Sequence, residues 1–113
     1  MHGAKGGGGV IAGLIDHTLL KADATAAEVE ALGAQTFQRF GAPHLVFNNA
    51  GVAAGGLVWE HSAKDWEWIV GVNLMGVAHG VRVFTPMMLA AAQADPAYHG
   101  HIVNTASMAG LVC

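Results

Sequence analysis

The chain has 113 residues, of which 53% are hydrophobic and 12% charged, and its formal net charge is −3. This length suits one small domain, and so hydrophobic a composition excludes an intrinsically disordered chain. Five lysine and arginine residues argue against a nucleic-acid partner, which a basic face would recognise. Either the apolar side chains fill one compact core, or some remain exposed for further segments or a partner to cover.

The first segment, residues 1–13, is rich in glycine and is typical of a flexible linker or tail. It shows no apolar core followed by a cleavage site, so no signal peptide is predicted. The one cysteine, Cys113, cannot form an internal disulfide, and a reducing cytoplasm is the expected location.

A helix is predicted next, ending at Gly41 to Pro43. Asp23 or Thr25 can cap it, and Glu28 follows Thr25 at the spacing of a capping box. Its apolar residues recur at near-helical spacing and are predicted to form the buried face: Val29, Leu32, Phe37 and Phe40.

Two short apolar runs predict strands, at His44 to Phe47 and at His101 to Val103. Neither run alternates with polar residues, so both strands are expected to be buried on both faces. A long helix from Ser62 to Ala94 separates them, with Ser62 and Asp65 placed as its capping residues. Strand, helix and strand in this order predict a parallel pair with a crossover. The fold class is therefore α/β, the middle of a doubly wound parallel sheet that is incomplete at both ends.

The long helix carries two apolar stripes. One is predicted to pack on the sheet: Trp66, Ile69, Val70, Asn73, Val77, Val81 and Phe84. The other is expected to meet either the rest of a larger domain or a second copy of the chain in a homo-oligomer: Trp68, Val72, Met75, His79 and Val83. Although much of the helix is apolar, Asn73, Arg82 and Pro86 within it make it a poor membrane span, and no membrane partner is predicted.

Candidate chemistry lies where the strands end, because open α/β sheets bind ligands beyond the carboxyl ends of their strands. Asn48-Asn49-Ala50-Gly51 follows the first strand, and Gly51 would let a ligand approach the main chain closely. Ser107 follows the second strand, and its hydroxyl could donate to a substrate oxygen. Asn73 needs hydrogen-bond partners if it is buried. An ordinary turn, a cap serine and a structural asparagine are the alternatives.

Three segments in order, Phe40 to Val52, Val72 to Gly76 and His101 to Ser107, resemble the short-chain dehydrogenase/reductase family. The resemblance covers about residues 34–112 and implies a Rossmann-like fold, NAD or NADP as cofactor, and hydride transfer to or from a small alcohol or carbonyl compound. It also implies a subunit interface on the long helix, residues 62–94.

The resemblance implies roles for individual residues. Asn48, Ala50 and Gly51 match the family's stretch beside the adenosine part of the cofactor. Asn73 matches an asparagine that helps to hold a water in the proton relay, and Ser107 matches the serine that binds the substrate oxygen.

Two features of the family pattern are missing or doubtful. The acid/base motif Tyr-x-x-x-Lys follows the serine in the family, whereas the only tyrosine here, Tyr98, precedes Ser107. The chain is therefore expected to be inactive alone. Gly3, Gly7 and Gly9 can be aligned with the family's phosphate loop, but no strand precedes them, as that loop requires.

A second resemblance lies upstream, where Leu14 to Leu32 is similar to the start of deoxyribose-phosphate aldolase, a TIM-barrel enzyme with a Schiff-base lysine. One interpretation is a chimera with a glycine-rich segment at 1–13, an aldolase-like lead-in at 14–33 and a dehydrogenase middle at 34–113. The other is that Ala22 to Phe40 is the dehydrogenase's own helix. The function hypotheses are an oxidoreductase fragment, a non-enzymatic association module acting through the long helix, and an aldolase-derived chain. No metal site is predicted.

Overall fold

The computed structural model describes residues 26–111. Its elements in chain order are α1 (Ala26–Phe40), β1 (Leu45–Asn48), α2 (Ala63–Ala94) and β2 (His101–Asn104). Single 3₁₀ turns occur at Val58–Glu60 and Met108–Gly110. The glycine-rich segment, the cap candidates Asp23 and Thr25, most of the aldolase-like stretch and Cys113 lie outside the described residues.

Helix α1 ends where the sequence predicts. Gly41 adopts a φ of 76°, a left-handed conformation that glycine accepts without strain, and its N–H donates to Phe37 O at 2.9 Å. The predicted buried face is wrong at Phe37, which is 56% exposed. Thr36 is buried in its place, because its hydroxyl donates to Leu32 O at 2.8 Å and so keeps a hydrogen bond.

Strands β1 and β2 pair in parallel, as predicted, in a register that runs from Leu45 opposite His101 to Asn48 opposite Asn104. The expectation that both strands are buried on both faces is wrong. Phe47 is 60% exposed and Val103 38%, whereas Val46 is buried. Successive strand residues face opposite sides of a sheet, and among residues 26–111 α2 covers only one side.

Helix α2 begins with the predicted capping box. The Asp65 N–H donates to Ser62 Oγ, and the Ser62 N–H donates to Asp65 Oδ2 at 2.9 Å. The hydrogen bond that the Ser62 N–H donates to the carboxylate is the largest cause that lowers the pKa of Asp65, and the Ser62 side chain and nearby His61 add to the effect. The helix is α-helical over Ala63–Val70 and Gly76–Ala94, with a π-helical turn over Gly71–Met75.

The two predicted stripes of α2 match its buried face only in part: Phe84 of the sheet-side stripe lies in the core, as expected, but other members do not. Trp66 and Val81, assigned to the sheet side, are 48% and 38% exposed, whereas Val72 of the other stripe is 8% exposed. The π turn is the physical reason, because it inserts an extra residue into one turn and so rotates the faces on its two sides relative to each other. The buried residues of α2 are Val72, Gly80, Phe84 and Met88.

The core lies between α2 and the sheet. Val46, Phe84 and Met88 form its centre, and Leu32 of α1 and Ile102 of β2 pack against them. Length and composition alone would let α2 cross a membrane. That is weak support for a span, because the core helix of a soluble protein meets the same criteria, and α2 packs on both strands.

Candidate functional site

The two strands end side by side at an asparagine each. Asn48 and Asn104 are register partners, and Nδ2 of Asn48 donates to Oδ1 of Asn104 at 2.8 Å. This carboxamide bridge ties the carboxyl ends of β1 and β2 together. We call this edge of the sheet, with residues 48–52 and 104–107, the rim.

The pairing continues beyond the strands into the loops. The backbone N–H of Thr105 donates to Asn48 O at 3.1 Å, and Thr105 Oγ1 donates to Asn49 Oδ1 at 2.7 Å. Residues after β1 and after β2 therefore leave the sheet in contact with each other. This confirms the predicted parallel geometry, which brings the two candidate loops to a common edge.

Asn73 holds the first loop from the helix side. Its Oδ1 accepts from the Val52 N–H and its Nδ2 donates to Val52 O, both at 2.9 Å. The expectation that Asn73 faces the sheet is wrong: it is exposed and lies within the π turn, which directs it to the loop. Both ends of its carboxamide are satisfied by one residue, so Asn73 fixes the path of the chain just after Gly51.

Gly51 leaves space at the rim. A Cβ added there would lie 3.7 Å from Asn73 Oδ1, an ordinary contact, with no other atom of the described residues so near. A ligand could therefore approach the main chain closely at this position. Ala50 is exposed beside it.

Ser107 begins the 3₁₀ turn Met108–Gly110, and its Oγ accepts from the Ala109 N–H at 3.1 Å. It is exposed, and within residues 26–111 its hydroxyl hydrogen has no acceptor. The cap and the candidate donor are therefore compatible, because capping uses a lone pair and leaves the proton free.

Tyr98 lies at the opposite end of the sheet from Ser107. Its hydroxyl donates to Pro43 O, and its ring centroid is 4.7 Å from that of His44, just before β1. Burial raises the pKa of the phenol. Tyr98 therefore joins the entries to the two strands, a structural role that its loop position did not reveal.

Sequence reasoning placed Asn49, Asn104 and Thr105 in the two candidate loops but did not predict the hydrogen bonds by which they assemble the rim. A signal was available, since both strands end in asparagine and a parallel pair of equal length brings such ends together. The rim loops carry no charge over residues 49–58 and 105–111, so hydrogen bonds are the polar contacts they offer. In the described part of the chain no three His, Cys, Asp or Glu side chains cluster to hold a metal ion.

Comparison with known proteins identifies one family. The model of the family described as short chain dehydrogenase matches residues 15–113. The chain is 38% identical over 95 residues to the CLA biosynthesis dehydrogenase/reductase of Lactiplantibacillus plantarum, covering 83% of this chain and 32% of that protein.

Solved structures agree with this match. A short chain dehydrogenase/reductase from Burkholderia phymatum in complex with NAD is 57% identical with a TM-score of 0.71, over 79% of this chain and 30% of the other. A gluconate 5-dehydrogenase from Burkholderia cenocepacia, in complex with NADP and tartrate, is 27% identical with a TM-score of 0.70, over 82% of this chain and 34% of the other. The chain thus spans about a third of the length of these relatives.

The family match bears on the origin of α1. It begins at residue 15 and so includes the whole of Ala22 to Phe40. Both interpretations of that segment stay predictions. The aldolase resemblance has no counterpart in these matches and stays a prediction.

Proposed function

The chain belongs to the short-chain dehydrogenase family, and from this premise we propose that it supplies part of the cofactor and substrate site of an NAD- or NADP-dependent oxidoreductase. The parent reaction is hydride exchange between the nicotinamide cofactor and a small alcohol or carbonyl compound. The observation that carries the proposal is the rim, where hydrogen bonds hold both candidate loops together at the ligand-binding edge of a parallel sheet. Relatives in complex with NAD and with NADP support the choice of cofactor.

Asn48, Ala50 and Gly51 are the proposed cofactor contacts. The open space at Gly51 fits a ligand that lies against the main chain, and the exposed Ala50 adds little bulk beside it. Asn48 acts by shaping this surface, since its Nδ2 is engaged with Asn104. The bound cofactor would supply or accept the hydride, and these residues would bind and orient it.

Ser107 and Asn73 are the proposed catalytic residues. The Ser107 hydroxyl would donate a hydrogen bond to the substrate oxygen and so orient the substrate, without giving up its proton. Asn73 would help to hold a water of the proton relay. Both ends of its carboxamide are bound to Val52, so the main chain of Asn73 would contact this water. Asn73 lies in a π turn, and π turns are frequent at functional sites.

The 113 residues contain no Tyr-x-x-x-Lys, the family's acid/base motif. Tyr98 does not replace it, because its hydroxyl is bound to Pro43 O at the far end of the sheet. General acid–base catalysis contributes about 10²–10⁴ in rate. We therefore propose that this chain alone binds without turning substrate over.

Titration of the chain with NADH and NADPH, followed by nucleotide fluorescence, tests the proposal. We expect micromolar binding to at least one nucleotide and at least about tenfold weaker binding after Gly51→Val, which costs about 1.4 kcal/mol or more by filling the open space. Gly55→Val is the matched control, because Gly55 lies in the same loop with no atom within 4 Å of an added Cβ. Equal weakening by both variants, or no binding by the parent chain, contradicts the proposal.

A second proposal concerns association. The large apolar side chains Trp66, Leu74 and Met75 of α2 are 48%, 61% and 42% exposed. Contiguous exposed apolar surface commonly marks an interaction site. We propose a homo-oligomer formed through α2. The same surface would serve if the chain is a non-enzymatic association module.

A further inference from the structure

Gly80 of α2 lies directly against the side chain of Asn48. A Cβ built on Gly80 would be 2.0 Å from Asn48 Oδ1 and 2.9 Å from its Cγ. Cβ atoms essentially never approach other heavy atoms that closely. The carboxamide of Asn48 thus occupies the place that any side chain at position 80 would take.

This contact determines which way the Asn48 carboxamide points. Its carbonyl end rests against the helix at Gly80, and its nitrogen donates to Asn104 Oδ1 at 2.8 Å. A methyl group at position 80 conflicts with Cγ as well as with the oxygen, so the whole carboxamide would have to swing away. That movement breaks the bridge to Asn104 and loses a hydrogen bond.

Other glycines in the helix are not constrained in this way. A Cβ at Gly71 would meet nothing within 4 Å, and one at Gly76 only Gly71 O at an ordinary 3.6 Å. Glycine in a helix interior is less favourable than alanine, because it loses more conformational freedom on folding. Gly80 is therefore an unfavourable helix residue at the one of these three positions where a side chain would collide with the rim. It lies outside the three segments that resemble the family.

We infer that Gly80 is a positioning residue, which seats the Asn48 carboxamide against α2 so that it bridges to Asn104 and aligns the two rim loops. The inference rests on the proposed function, because the aligned loops carry the proposed cofactor and substrate contacts. Gly80 itself touches neither ligand in this account.

The first test observes the carboxamide itself by nuclear magnetic resonance of the ¹⁵N-labelled chain, with Asn48→Ala to assign its side-chain signals. In Gly80→Ala we expect the Asn48 amide hydrogens to exchange with water about fivefold faster, the factor of one net hydrogen bond. Gly71→Ala, an equal change in open space on the same helix, should leave them unchanged. Unaltered Asn48 signals in Gly80→Ala overturn the inference.

The second test measures NADH affinity. Gly80→Ala should weaken binding about fivefold, the same one-bond factor. Asn48→Ala with Gly80→Ala should bind no worse than Asn48→Ala alone, because removal of the carboxamide makes room for the new methyl group. An equal loss from Gly80→Ala in both backgrounds overturns the inference.

If Gly80→Ala does not fold, the double variant Asn48→Ala with Gly80→Ala still tests the contact. Folding of the double variant supports the assigned contact between Gly80 and Asn48, and failure of the double variant to fold overturns the inference. A parent chain that binds neither NADH nor NADPH defeats the proposed function alone, since the resonance comparison still tests the contact between Gly80 and Asn48.

Discussion

Asn48 and Asn73 both use a carboxamide as a connector between separate segments. Asn48 links β1 to β2 through Asn104, and Asn73 links α2 to the loop at Val52 through two hydrogen bonds. A side chain with a donor nitrogen and an acceptor oxygen suits this task, because it can satisfy a backbone N–H and a C=O together. Aspartate offers only acceptors and leucine neither, although both are similar in size.

Replacing Asn73 should release the loop after β1. Asn73→Ala removes both bonds to Val52, and we expect a loss of about 1–3 kcal/mol in the free energy of unfolding. Hydrogen exchange at the Val52 amide should quicken more than that in the core of α2. Gln93→Ala, an exposed amide on the same helix, is the control. Unchanged protection of Val52 would show that other contacts hold the loop.

Tyr98 should make stability depend on alkaline pH. Burial raises the pKa of its phenol above the ordinary value of 10.0, so the folded chain holds this proton more tightly than the unfolded chain. The stability that this protonated phenol adds to the folded chain is fully present below pH 10.0 and is lost as the pH rises through the folded-state pKa. Urea unfolding of the parent and of Tyr98→Phe should therefore differ most at neutral pH and converge above about pH 10. A constant difference would contradict this role.

At the scale of elements, α1 and α2 are held together through a glycine. A Cβ on Gly33 would lie 2.3 Å from Val83 Cγ1, so α1 approaches α2 as closely as it does only because this side chain is absent. Gly33 is itself buried. A substitution at Gly33 therefore tests how closely α1 packs against α2, and not the backbone conformation of Gly33.

Gly33→Ala should destabilise the chain by about 1–3 kcal/mol, the usual cost of overpacking a core. In a Val83→Ala background the same change should become neutral or stabilising, because the methyl group then has room and alanine favours a helix. Thermal unfolding of the four chains forms the cycle. Equal losses in both backgrounds would place the conflict elsewhere.

The elements were more predictable than their faces. Ser62 with Asp65 marked the start of α2, and Gly41 with Pro43 the end of α1, because caps and breakers act locally. The faces of α2 could not be read from a constant period, since the π turn at Gly71–Met75 shifts the register without an obvious sequence signal. Contacts such as Gly80 with Asn48 depend on how closely two elements approach, and only tertiary structure reveals that.

At the scale of the whole molecule, the order of strand, helix and strand predicted the α/β class and the parallel pairing, and three motifs in order predicted the family. Each motif constrains a different part of one fold, so their agreement is more specific than any one alone. Burial was predicted less well, as Phe47 shows, because among the described residues α2 covers only one side of the sheet. The roles of Ser107 and Asn73 stay proposals.

Exposed apolar surface on α2 should drive association. We expect the chain to sediment as a homo-oligomer, and Trp66→Lys with Leu74→Lys to lower its mass towards that of one chain, because each puts a charge at an interface. Both side chains are exposed, so the chain's own core is spared. Glu67→Lys, at an exposed position on the same helix, is the control. An unchanged mass in the lysine double variant would place the interface elsewhere.

We expect the rim to form late in folding, because its two strands lie far apart in the chain. Asn48 and Asn104 are 56 positions apart, so their bridge closes only after the intervening helix has folded back, and loop closure of this kind carries an entropic cost that local contacts avoid. On a ribosome, β1 emerges well before its partner strand. Until β2 follows, the Asn48 carboxamide has no counterpart, and the nascent chain exposes an unpaired strand edge of the kind that chaperones protect.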